Sequence, residues 1–206
     1  MKDRLGLIIG ISLGWIYSAP PIRLKARSWL APVSLILVLG IFPVLFAYFT
    51  FTTTFQPFFL LALIGLAMTI SGVIIPTEIR DYFGDKAMKI ETMTVTIGLV
   101  KASMLSMILL ALGSALIGVA FVLEFISGVH PMLAISVLTL AAADYIALTK
   151  FRRLYSLSKK FKSFTDDSTV VDEITDLSAR NPQWIMLITQ TYSLLSILLL
   201  ASRLIK

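Results

Sequence analysis

The chain contains no cysteine, which excludes disulfides, thiolate metal centres and cysteine nucleophiles. Histidine is nearly as scarce. His130 is the single one among 206 residues, so an imidazole metal cluster or a Ser/His triad has no material to work with. Charged residues make up only 15% of the chain against 57% hydrophobic, where a soluble domain holds about 25% charged and about 45–50% apolar. With a mean hydropathy of +0.89, the composition is that of an integral membrane protein. The net charge of +6 does not point to nucleic acid, because lysine and arginine fall in the connections between apolar runs. There they act as topology signals and as contacts for phosphate or anionic headgroups of membrane lipid.

A helix needs about 20 apolar residues to cross a bilayer. Runs of that kind lie near 30–50, 57–77, 102–123, 131–149 and 184–202, with a shorter one at 5–17. The first connection carries Arg23, Lys25 and Arg27, the third Arg80, Lys86, Lys89 and Lys101, and the fifth, 150–183, seven more basic residues. The second and fourth, near 51–56 and 124–130, carry none. This alternation is the positive-inside pattern and predicts that the first, third and fifth connections share the cytoplasmic side. The stretch 158–180 is basic and then acidic, as expected of a solvated connector, an amphipathic surface helix or a lid.

What remains is where charge does occur. Glu78, Asp81 and Asp85 stand three and four residues apart, so continued helix would put all three on one face. Carboxylates crowded in this way repel and call for a cation. With only oxygen ligands to offer, the expected ion is Mg²⁺, which takes one or two protein carboxylates and fills its shell with water and substrate phosphate. The competing reading is that the acids cap helix ends in water, paired with Arg80 and Lys86. A second element, Tyr17-Ser18-Ala19-Pro20-Pro21-Ile22-Arg23-Leu24-Lys25, falls on the same expected side. Its two prolines stiffen the turn and hold Arg23 and Lys25 in place to clamp a diphosphate. A plain basic flank is the alternative there, and Tyr17 either lines the cavity mouth or, as the favoured reading, anchors at the headgroup level.

The Tyr-Ser-x-Pro-Pro-x-Arg-x-Lys string, followed by Ile79-Arg80-Asp81, Gly84-Asp85, Ile90, Thr92, Val95 and Gly98, resembles the UbiA superfamily of intramembrane prenyltransferases. The resemblance implies an all-α, polytopic transmembrane helix bundle. About six spans are expected here, corresponding to helices 4–9 of a nine-helix enzyme, with residues 1–206 as one domain truncated at its N-terminus. The family's first acidic motif, N-D-x-x-D, is not found. Glu78 stands where the family usually has Asp, Lys89 replaces a common Gly, and Thr94 a common Pro.

The activity implied is Mg²⁺-dependent transfer of a prenyl group, geranylgeranyl by the form of the first motif, from an isoprenyl diphosphate donor to a lipophilic acceptor. It would proceed at the cytoplasmic face of the cytoplasmic membrane. That motif is most similar to the chlorophyll synthase and digeranylgeranylglyceryl phosphate synthase branches. Asp81 and Asp85 are the catalytic candidates, with Glu78 beside them as metal ligand; Arg23, Lys25, Arg80 and Lys86 would bind the diphosphate. The alternative is a non-catalytic or split membrane subunit that meets a second chain supplying the missing helices. A transporter would carry its acids deeper in the bilayer.

Overall fold

The computed structural model describes residues 11–12, 14–17, 19, 21, 24, 28–51, 53–55, 57–126, 132–163, 168–180 and 183. Arg23, Lys25, most of the short first run and the whole of the 184–202 run lie outside the described residues. Those described are predominantly helical, and three helices are long and apolar enough to cross a membrane: Leu30–Thr50, Pro57–Ala87 and Leu99–Leu123. The chain is therefore an all-helical integral membrane protein.

The first of these spans is built from α1 (Leu30–Leu35), a π-helical stretch over Ile36–Ile41 and α2 (Phe42–Phe51). After a short connection come α3 (Pro57–Ala87), α4 (Met93–Ile97), α5 (Leu99–Ile126) and α6 (Met132–Ser163). The uncharged turn between α2 and α3 is aromatic. Tyr48 stacks on Phe59 with ring centroids 3.6 Å apart, and its hydroxyl donates to the Thr54 carbonyl at 3.0 Å. Such amphipathic rings suit the membrane–water boundary.

The α3–α5 pair forms the centre of the molecule. Lipid tails are as apolar as leucine, so helices in a membrane associate through close packing and hydrogen bonds. Glycine makes the approach possible: a Cβ on Gly65 would sit 2.8 Å from the Gly113 carbonyl oxygen, and one on Gly72 2.9 Å from both the Ser106 oxygen and the Leu110 nitrogen. These contacts fix an antiparallel register, with the C-terminal end of α3 beside the start of α5.

Pro76 lies buried inside α3. Proline lacks an N–H, so the carbonyl of Gly72, four residues earlier, loses its helical partner. The Ser106 hydroxyl on α5 replaces it, donating to Gly72 O at 2.6 Å while itself fully buried. One neighbouring helix thus repairs the break that proline makes in the other, as an apolar solvent demands.

On the other side, α6 packs along α5 through Leu110, Ala147 and Phe151. Asp144 of α6 is buried beside the Ser114 hydroxyl of α5. The connection 150–183 is largely helical: α6 continues to Ser163, and residues 168–180 form a further helix. Val170, Ile174 and Leu177, spaced four and three apart, turn inward onto Ile75, Ile79, Tyr82, Leu154 and Leu157. Arg153 also pairs with Glu173 across the gap. Of the readings open for this stretch, the amphipathic helix is the one adopted.

Candidate functional site

The apolar part of α3, 57–77, is about 31 Å long, enough to cross the hydrocarbon core. Residues 78–87 therefore extend about 15 Å beyond it. Along this extension the helix has two faces. Ile75, Ile79 and Tyr82 are buried in the core, while Glu78, Asp81 and Asp85 line an open cleft of about 210 Å³. The predicted single acidic face is present.

Three segments complete the cleft. Ala31 and Leu35 come from α1, Ile90, Glu91 and Thr92 from the turn after α3, and Tyr17 from the first motif. Tyr17 thus lines the cleft, the less favoured of the two positions that the sequence left open for it. Ser28 forms a parallel bridge with Thr92, which ties the end of the first connection to the segment after the acidic helix. Tyr17, about sixty residues before Glu78 in the chain, is thereby brought to the acidic face.

The individual groups differ in what they face. Arg80 makes a two-pronged pair with Asp81, Nε to Oδ1 at 2.9 Å and Nη2 to Oδ2 at 3.1 Å. Both side chains are about half exposed, so water and salt screen the pair and a stronger anion can take the guanidinium over. Lys86 lies off the cleft, its Nζ 5.7 Å from the centroid of the Tyr82 ring. Glu78 is turned toward α4: its Oε2 accepts from both the backbone N–H and the hydroxyl of Thr94, each at 3.1 Å. Thr92 caps α4 by accepting from Val95 N at 3.4 Å, and it stands with Asp85 on the cleft wall. Burial raises Asp85 above the ordinary carboxylate range, the charge of Asp81 adds to this, and the nearby Thr92 hydroxyl offsets part of it.

Among the described residues no three Asp, Glu or His side chains are placed to hold an ion jointly. The donor chemistry nevertheless fits a hard cation. Asp81 and Asp85 lie one turn apart on the cleft wall, close enough for one to perturb the other. Two carboxylates are what Mg²⁺ typically takes from a protein. Sequence reasoning gave no role to Thr92 or Thr94. A threonine ahead of a short apolar stretch is the usual signal of a helix cap, but nothing in the sequence reveals which carboxylate a cap will meet.

A membrane helix bundle that carries an acidic cleft at its surface defines the class. Residues 5–165 match the UbiA prenyltransferase family, and the chain belongs to that family. It is 38% identical over 103 residues to homogentisate phytyltransferase from Synechocystis sp. (strain ATCC 27184 / PCC 6803 / Kazusa), covering 46% of this chain and 33% of that protein. The chain thus spans about a third of the length of the curated relative it matches. No solved structure matches it significantly. The comparisons give no support to a second chain that completes the site.

Proposed function

We propose that this protein transfers a prenyl group from an allylic diphosphate to a lipophilic acceptor, with the diphosphate bound in the α3 cleft. The observation that carries this reading is the composition of that cleft. Its acids, Asp81 and Asp85, sit beside Ala31, Leu35, Ile74 and Ile90, so a charged head and an apolar tail are accommodated side by side at the membrane surface. An isoprenyl diphosphate has that shape and polarity.

Asp81 and Asp85 would hold Mg²⁺, which when bound supplies positive charge to the departing diphosphate. Arg80 swings from Asp81 to a phosphate oxygen, a bidentate partner it already has the geometry for. Arg23 and Lys25 remain candidates for the same work. Tyr17 and Ile74 wall the position where the allylic end would lie and keep water from it. Basic residues at the same end as the cleft, Lys86, Lys89 and Lys101, support a cytoplasmic orientation. The relative's name makes phytyl and geranylgeranyl diphosphates the donors to try, with homogentisate among the acceptors.

The test is diphosphate release and prenyl transfer by the lipid-reconstituted protein with Mg²⁺. Asp81→Asn is expected to lower the rate about 100-fold, the usual loss when one electrostatic stabiliser is removed. Transfer unchanged by both Asp81→Asn and Asp85→Asn would refute the assignment.

A further inference from the structure

We infer that Glu78, although it lies on the acidic face, is a positioning residue and not a metal ligand. The inference rests on the reading of the cleft given above. Through Thr94 and Thr92, Glu78 sets where the Asp85 carboxylate stands. Its Oε2 receives two donors from a single residue, the amide and the hydroxyl of Thr94. Thr94 is fully buried, so the pair is shielded from competing water and stronger for it.

The consequence passes along the backbone. Thr94 sits in the first turn of α4, two residues after Thr92. Thr92 in turn caps that helix and stands beside Asp85 on the cleft wall. Glu78 and Asp85 are two turns apart on α3, so the far side of the cleft is fastened to the acidic helix at Glu78 and faces it again at Asp85. The turn between them, 88–92, has Lys89 in the left-handed region at φ 56°, and Ile90, Glu91 and Thr92 line the cleft. Among the described residues these two bonds are the polar contacts from α3 to Thr94, while Met93 beside it packs with Ile79 and Tyr82. Without the Glu78 contact the wall that carries Thr92 would loosen and move away from Asp85.

Glutamine separates the two roles. Its amide oxygen accepts both Thr94 bonds as the carboxylate does, yet it brings no charge to an ion. The experiment titrates Mn²⁺ into the reconstituted protein in the presence of inorganic diphosphate, reading free Mn²⁺ by electron paramagnetic resonance. Hydrogen exchange over residues 92–97 is measured alongside. Glu78→Gln is expected to keep the Mn²⁺ Kd within about twofold and exchange unchanged. Glu78→Ala should weaken Mn²⁺ about tenfold, as loss of an outer support does, and speed exchange over 92–97. Asp85→Asn should weaken Mn²⁺ by tenfold or more without the exchange effect.

If Glu78→Gln weakens Mn²⁺ as much as Asp85→Asn does, Glu78 is a ligand and the inference falls. Unchanged exchange in Glu78→Ala overturns it as well, whatever the metal does. Should neither Asp81→Asn nor Asp85→Asn alter Mn²⁺ binding, the metal reading of the cleft fails, while the exchange measurement still decides the role of Glu78.

Discussion

Replacing Ser106 by alanine should cost about 1–2 kcal/mol of stability, and the cost should vanish when Pro76 is also replaced. The reasoning starts from the carbonyl of Gly72, which Pro76 deprives of its helical donor and which the Ser106 hydroxyl satisfies at 2.6 Å. Hydrogen bonds between helices in membranes are worth about 0.6 kcal/mol on average and about 1.7 at most. A buried acceptor left without a partner costs about 1–3 kcal/mol. Ser106 is fully buried and no water reaches the site from the lipid, so the upper part of the first range and the lower part of the second apply. In Pro76→Ala the restored amide can bond Gly72 directly, and Ser106→Ala then removes a redundant donor. The assay is a double-mutant cycle of unfolding in mixed micelles, with an expected coupling equal to that cost, about 1–2 kcal/mol. A Ser106→Ala cost that stays the same in the Pro76→Ala background would refute the argument.

Further outcomes follow from other contacts. Gly113→Ala places a Cβ only 2.6 Å from both the Gly65 oxygen and the Thr69 nitrogen; forcing α3 and α5 apart should cost about 1–3 kcal/mol by the same unfolding assay. Lys89→Gly relieves the left-handed backbone at φ 56° and, after the entropy that glycine adds to the unfolded chain, should stabilise by about 0.5 kcal/mol. Ile174→Ala empties a fully buried position under the 168–180 helix; a loss of about 2–4 kcal/mol is expected, with earlier protease cutting in that segment. Asp85 has its carboxyl raised when folded, chiefly by burial and then by Asp81. The metal-free folded state therefore holds its proton to higher pH than the unfolded chain does, and stability declines as pH climbs from the ordinary carboxylate range to the raised one. Asp85→Asn should flatten that part of a melting-temperature against pH curve.

The acidic face of the candidate site was legible in the sequence, because its signals are local. The spacing of Glu78, Asp81 and Asp85 needs only helical periodicity to give one acidic face, and that face lines the cleft. Arg80 and Lys86 show the limit of such reasoning. Both are basic and adjacent to the acids, yet Arg80 lines the cleft while Lys86 lies over Tyr82, a difference of helical angle and rotamer that sequence distance does not contain. Glu78 was legible as an acid on the face, but its bond to Thr94 depends on how far the turn 88–92 folds back.

Composition alone made this a membrane protein. Too few charges exist to solvate the surface of 206 residues, and helices are the elements that satisfy every backbone group without water. Hydropathy likewise placed the long runs at 30–50 and 57–77, because length against bilayer thickness is a one-dimensional test. Tertiary structure decided what one-dimensional tests cannot reach. It set the α3–α5 register through glycine contacts, gave Gly72 a donor from another helix, and carried Tyr17 and Thr92 to the wall of the same cleft. It also packed the polar stretch 168–180 against the core through Ile174. Each of these joins residues far apart in the chain, so each depends on the distances that only the packed helices fix.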